Sequence, residues 1–381
     1  MAEHDLLQFH AFCLTNTGTR LDQYSAALSS RVCPGDVVLD IGTGSGLLAL
    51  LACRAGAGRV YAVESSHAIQ YGELLASRAG LSDRIRFIQS ASTQLVLPEP
   101  VDVIVADIHD TFGLQPGGIA TLVDARDRFL KPAGTLIPRA IHLMVAPAEA
   151  HEVYAREIEV WSREVQGVDV SPLRPFAVNQ PHPVRLTPEN LLAPPVPLAT
   201  LDLEHLSTLH AGGTIEVAAE RDGTMHGVCG SFVTTLADGV VMGNVPGDSG
   251  TTNFAQAFFP LGSPAGISKG DLIAISVDHH DGHVARWRTS IRRPGDPARA
   301  QFDHSSFAGT LLTAGTLRKQ APDYRPTLTS RGAMERALLD RFDGTAAAAE
   351  LQAWLRERFG ELLPSNREAD AFLSSTIERC G

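Results

Sequence analysis

A chain of 381 residues exceeds one ordinary hydrophobic core, so two or three domains are expected. With 44% hydrophobic and 20% charged residues, its composition is that of a globular protein and excludes a disordered or fibrous one. A formal net charge of −11 argues against a nucleic-acid partner and suits a neutral or cationic substrate.

The first residues, MAEHDLLQFH, lack the layout of a signal peptide. Residues 36–145 then alternate apolar runs with helical patterns. DVVLDIG, GRVYAVE, RIRFIQ, VDVIVAD and TLIPRAIHLMV read as strands; LLALLACRAG, AIQYGELLASRAG and IATLVDARDRFL read as the helices between them. Strands separated by helices predict a parallel sheet with right-handed crossovers. The most apolar run, LLALLACRAGAG, is short and broken by glycine, so no membrane span is expected.

Near residue 165 the texture changes. VSPLRPFAVNQPHPVRLTPENLLAPPVP is proline-rich and predicts an extended arm, not a helix. From about 198 to 295, TLDLEHL, TIEVAAE, GVCGSFVTTL, DLIAISV and HVARWRTSI read as strands without helices between them, an antiparallel barrel or sandwich. Asp278–His283 has the composition of a metal cluster, but Asp-Gly between two strands reads as a hairpin turn, and no metal is expected. The last 60 or so residues place apolar side chains at helical spacing in MERALLDRF, AELQAWLRERF and EADAFLSSTIERC, with Trp354 and Phe359 expected in their core. Ser365 with Glu368 reads as a capping box. The expected domains are 1–145, 146–315 and 316–381. Five scattered cysteines (Cys13, Cys33, Cys53, Cys229, Cys380), none in CxxC spacing, point to a reducing compartment, so a cytoplasmic protein is expected.

The strongest chemical signal is DVVLDIGTGSGLL, a buried strand ending at Asp40, a turn with Gly42, Gly44 and Gly46, and a helix from Leu47. Glycine lets the backbone pass close under a bulky ligand. A dinucleotide site needs G-x-G-x-x-G, and here the third glycine falls one residue early. Glu64 ends the second strand, where a carboxylate can accept two ribose hydroxyls. The pattern favours S-adenosyl-L-methionine over a nicotinamide dinucleotide.

At these residues the chain resembles the protein arginine methyltransferases, class I S-adenosylmethionine-dependent enzymes. VVLDIGTGSGLLALLACRAGAGRVYAVESS is similar to that family's first motifs, and VDVIVADIHDTFGLQPGGIATLVDARDRFLKPAGTLIP to its acidic-hairpin segment. The resemblance covers about residues 8–295. It implies a Rossmann-like domain, a β-barrel, and a homodimer through an arm at about 160–192. TRLDQY resembles the amino-terminal helix whose arginine meets the cofactor carboxylate, which makes Arg20 that residue. Arg20, Asp40, Gly42, Thr43, Gly44, Gly46, Glu64, Ser65 and Ser92 are the expected cofactor contacts.

The departures bear on the acceptor. The family grips a guanidinium between two hairpin glutamates; here those positions are Asp107 and Pro116. Its Thr-His-Trp loop reads Thr252-Asn253-Phe254. A guanidinium, with a pKa above about 12.5, is gripped and polarised as a cation, and two carboxylates suit its fork. An aliphatic amine costs roughly 4 kcal/mol to deprotonate at neutral pH and an α-amine about 1, so one carboxylate can suffice. Asp107 is therefore expected to orient the acceptor unless it only caps its strand. His109 or Asp110 is a possible proton acceptor, against the plainer reading of His109 as a solvated loop residue. Asn253 and Phe254 are expected at the acceptor mouth or simply in a barrel loop.

The carboxy-terminal segment from Tyr324 is similar to small winged-helix domains, which recognise leader peptides during ribosomal-peptide modification or regulate methyltransferases. Such a piece can equally be a packing extension. The leading expectation is N-methylation of an amine on a peptide or peptide-like substrate. Arginine methylation, of a protein or the free amino acid, is the alternative; a silent cofactor- or peptide-binding regulatory partner is a third.

Overall fold

The computed structural model describes residues 17–113, 115–248, 252, 254–280 and 284–380. In chain order, helix α1 (Thr17–Arg31) precedes β1 (Val37–Ile41), α2 (Leu47–Ala55), β2 (Arg59–Glu64), α3 (Ile69–Arg78), β3 (Ile85–Gln89), β4 (Val101–Ala106), α4 (Gly118–Phe129) and β5 (Leu130–Ile137). The five strands pair in parallel in the order β3-β2-β1-β4-β5. Helices cover both faces of such a sheet, so β1 and β4 are nearly continuous apolar runs. The strand order reverses between β1 and β4, which opens a crevice at their carboxyl ends. The glycine turn after β1 and Asp107 after β4 both lie there.

The apolar stretch read as one strand over 135–145 is two. Pro138 and Arg139 separate β5 from β6 (Ala140–Ala148), and β6 belongs to a different, antiparallel sheet. Helix α5 (His151–Glu157) and a two-stranded ribbon of β7 (Glu164–Val165) and β8 (Val168–Asp169) precede the proline-rich segment, which is itself not wholly extended: it holds helix α6 (Arg174–Val178) and β9 (His182–Val184). Pro175 is tolerated in α6 because it occupies the first turn, whose N–H groups have no helical acceptor.

The barrel follows with β10 (Val196–Asp202), β11 (His210–Ala218), β12 (Gly223–Ala237), β13 (Val240–Gly243), β14 (Gln256–Ile267), β15 (Leu272–His280), β16 (Val284–Arg292) and β17 (Ala300–Ser305). One sheet runs β10-β6-β12-β14-β9 with β13 beside β12; the other runs β11-β15-β16-β17. Strands β15 and β16 pair antiparallel on either side of the predicted Asp-Gly turn. The inner faces share a core in which Phe232, Phe259, Ile275 and Trp287 are buried. Trp287 Nε1 donates to the Pro260 carbonyl at 2.9 Å, which satisfies the indole's only donor. That core is continuous with Ile104, Leu122 and Leu136 of the parallel domain.

A compact first unit extends through Leu311, and a second begins at Leu312. The second unit consists of α7 (Ala314–Gln320), α8 (Ser330–Leu339), α9 (Ala348–Phe359) and α10 (Asn366–Cys380), with Met334, Leu338, Leu355 and Phe372 in its core. Trp354 and Phe359 are partly buried and meet edge to face. The Ser365–Glu368 box forms as predicted: each backbone N–H donates to the other's side chain, at 2.9 and 3.2 Å. The unit's described residues are helical without a strand, so no wing accompanies the helices. Among the described residues no helix is long and apolar enough to cross a membrane.

Candidate active site

Gly42, Gly44 and Gly46 all adopt left-handed backbone, with φ of 67°, 53° and 77°. The N–H groups of Gly42 and Thr43 donate to the Val63 carbonyl at 2.9 and 3.0 Å, which ties the turn to β2. A side chain at Gly46 would press its Cβ to 2.9 Å from the Gly72 backbone, whereas the space above Gly42 is open. Glu64 reaches under the turn and accepts from Gly44 N–H at 3.1 Å and Ser66 N–H at 2.9 Å. Asp40 is fully buried, and the Thr43 hydroxyl donates to it at 2.5 Å. Burial pushes its carboxyl up to about 7. Ser65 is exposed next to Glu64, and Ser92, half-buried after β3, offers its carbonyl to Arg128.

On α1, buried Tyr24 donates to the Ala106 carbonyl at 3.0 Å, just before Asp107. One turn earlier the Arg20 guanidinium forms an ion pair with Asp107 Oδ2. Its Nε is buried without a partner, so a donor remains for a further anion. An open glycine cradle, a fixed carboxylate at its rim and a spare guanidinium donor fit an amino-acid nucleoside such as S-adenosylmethionine.

Asp107 Oδ1 faces His109 Nδ1 at 2.8 Å. His109 is not a solvated loop residue. Its side chain is fully buried, stacks on Phe232 with centroids 5.1 Å apart, and places Nε2 2.8 Å from the Thr234 hydroxyl of β12. Burial, and then the Arg20 charge, lowers its pKa to about 3, so the ring is neutral at physiological pH. The expectation of a proton acceptor here meets a ring with both nitrogens engaged. Asp110 is exposed and its carboxylate accepts from Thr111 N–H at 2.6 Å. Pro116 is exposed in the turn before α4. Phe254 is brought to the site, with its ring 5.4 Å from the Arg20 guanidinium and 5.7 Å from Phe232. Asn253 lies outside the described residues.

Three residues that hold this site carry no motif. Thr234 is one. Asn244, fully buried, donates from Nδ2 to the carbonyls of Thr111 and Ala255 at 2.9 and 2.7 Å and accepts from Phe232 N–H at 2.7 Å. It thereby joins the hairpin, β12 and the loop bearing Phe254. Gln256 donates to the Asn244 carbonyl at 2.7 Å and accepts from Leu186 N–H at 3.0 Å. An amide in an apolar strand context was the available signal, since burying one requires partners.

Residues 21–142 match the family profile described as ribosomal protein L11 methyltransferase (PrmA), and residues 139–292 match that of the arginine methyltransferase oligomerization subdomain. Among known proteins, the arginine N(omega)-methyltransferase of Streptomyces achromogenes subsp. streptozoticus is 30% identical over 288 residues, 74% of this chain and 78% of that protein. Protein arginine N-methyltransferase 6 of Xenopus laevis is 32% identical over 231 residues, 57% of this chain and 67% of that one. Among solved structures, a chain of the Trypanosoma brucei PRMT1 enzyme–prozyme heterotetrameric complex with AdoHcy superposes with a TM-score of 0.69 at 20% identity, covering 78% of this chain and 97% of that one. Arabidopsis thaliana protein arginine methyltransferase 10 superposes with a TM-score of 0.66 at 21% identity, covering 79% and 98%; at such identities these two speak to the fold alone. Cofactor cradle, barrel and sequence relatives agree: the chain belongs to the arginine methyltransferase family of S-adenosylmethionine-dependent enzymes.

Proposed function

We propose that this enzyme methylates an amine nitrogen of a peptide or peptide-like substrate, with Asp107 orienting the acceptor. The observation that carries this is the hairpin's single inward carboxylate. Both Asp107 oxygens already receive a donor, from Arg20 and His109, and Pro116 occupies the position to which the family resemblance assigns the second glutamate of a guanidinium clamp. An ionised carboxylate has about four lone-pair sites, so Asp107 can still accept an N–H from the substrate.

S-adenosylmethionine, held by the glycine turn, Glu64 and Arg20, supplies a methyl group on a positively charged sulfur. The chain's task is to place an unprotonated nitrogen in line with it. Asp107 accepts one N–H of the amine and so aims the nitrogen lone pair. The methylated nitrogen then releases a proton, which passes through Asp107 to water. Phe232 stacks on His109 and Phe254 lies beside the Arg20 guanidinium, so aromatic rings flank both groups that grip Asp107.

Within this reading the helical unit from Leu312 holds the peptide, and the arm at about 160–192 makes the homodimer contact. A cytoplasmic location is part of this reading, from cysteines scattered without CxxC spacing. Methyl transfer from labelled cofactor to peptides with a free α-amine, beside arginine peptides and L-arginine, tests the assignment. Labelled N-methylamine is expected; methylarginine as the only product would overturn it. That second reading is favoured by relatives named as arginine methyltransferases, one matching 74% of the chain.

A further inference from the structure

We propose that His109 is a positioning residue: its imidazole donates from Nδ1 to Asp107, accepts from the Thr234 hydroxyl at Nε2, and so fixes the carboxylate that faces the acceptor. The proposal rests on Asp107 as the acceptor-orienting group. A carboxylate only accepts, so the 2.8 Å contact at Oδ1 requires the proton on Nδ1. A neutral ring has one N–H, which leaves a lone pair at Nε2 for the Thr234 hydroxyl 2.8 Å away. The opposite tautomer would set a lone pair against the carboxylate. Thr234 and the His109 side chain are fully buried, so water cannot replace either partner.

Arg20 and His109 grip Asp107 from different elements. Arg20 comes from α1 and holds Oδ2; His109 holds Oδ1 and is itself braced by Thr234 and by the stacked Phe232 ring, both on β12. The carboxylate plane is thus set jointly by the parallel domain and the barrel. Without the imidazole, Asp107 could pivot about the Arg20 contact, and its remaining lone pairs would no longer point at one place. A neutral imidazole suits this role because it adds a donor without a second cation beside Arg20.

Two substitutions separate positioning from mere space filling. The amide of His109→Asn superposes on Nδ1 and keeps the donor to Asp107; that of His109→Gln superposes on Nε2 and keeps only the Thr234 contact. The expected result is that H109Q loses kcat about a hundredfold, the scale of a misaligned reacting group. H109N should keep most of it, and both should bind S-adenosylhomocysteine with the wild-type Kd. The acceptor is a peptide with a free α-amine, or L-arginine if only guanidinium is methylated. A failed amine assignment therefore changes the acceptor, not the ranking of the variants.

A second measurement needs no turnover, and its first arm uses the wild-type protein. In ¹⁵N-histidine-labelled protein, the His109 ring should show Nδ1 protonated and Nε2 bare at neutral pH, and Thr234→Val should shift the Nε2 resonance while leaving the proton on Nδ1. Equal kcat for H109N and H109Q, or an Nε2-protonated ring in the wild type, would overturn the proposal.

Discussion

In the proposed reading, Asp107 concentrates the chemistry in one side chain, gripped by Arg20 and His109. Replacing it by Asn keeps the shape but removes the charge that draws both Arg20 and the acceptor. Asp107→Asn should lower kcat by about 10²- to 10⁴-fold, the usual worth of a placed acid–base group, with little change in S-adenosylhomocysteine affinity by calorimetry. Asp40 offers a separate test in the ligand-free protein. Its carboxyl is raised from 3.8 to about 7 by burial. Such a group contributes stability that is fully present below 3.8 and is lost as pH rises to about 7, because the unfolded chain ionises first. Asp40→Asn cannot ionise. Its Tm relative to wild type should therefore be more favourable at about pH 8 than at about pH 4, in paired thermal melts. At this scale the sequence was partly legible. Gly42, Glu64 and Asp107 could be read because they end strands in a recognisable order. Thr234 could not, since one threonine in β12 acquires meaning only when a histidine 125 residues away packs on it.

At the level of elements, the hairpin after β4 is held by groups from strands far along the chain. Gly113 must stay small, because a Cβ there would sit 2.9 Å from Phe232 and 3.0 Å from Ile141. Asn244 is the tie between hairpin, β12 and the loop carrying Phe254. Asn244→Ala would leave one buried backbone group (Phe232 N–H) and two partly buried ones (the Thr111 and Ala255 carbonyls) without this partner, at about 1–3 kcal/mol for the buried group and less for the others. A fall in Tm together with a raised acceptor KM is expected; an unchanged KM would mean that the loop holds its shape without the tie. The parallel strands were easy to anticipate, since burial on both faces makes them plain apolar runs. Strand β14 was missed because Pro260, Gly262, Pro264 and Gly266 break the alternating pattern. Tertiary pairing with β12 and β9 overrides that weak local preference.

On the scale of the whole molecule, the chain forms two compact units. The second has its own core around Met334, Leu338, Leu355 and Phe372. Phe372→Ala should cost that unit about 3–5 kcal/mol and give an early thermal transition, while S-adenosylhomocysteine binding by the first unit is retained. If the helical unit holds the peptide, the same variant should raise KM for peptide acceptors near its melting range and leave KM for a small amine unchanged. Equal effects on both acceptors would remove the peptide-holding role.

The order of glycines after β1, the carboxylate ending β2 and the helix-strand alternation were determined by the chain alone, because each depends on neighbours within a few residues. Local periodicity and φ preference suffice for those. Whether His109 is solvated or buried, which groups grip Asp107, and how the barrel braces the hairpin were decided only by the tertiary structure. Those contacts join residues up to 133 positions apart, and a buried hydrogen bond has no local pattern to announce it.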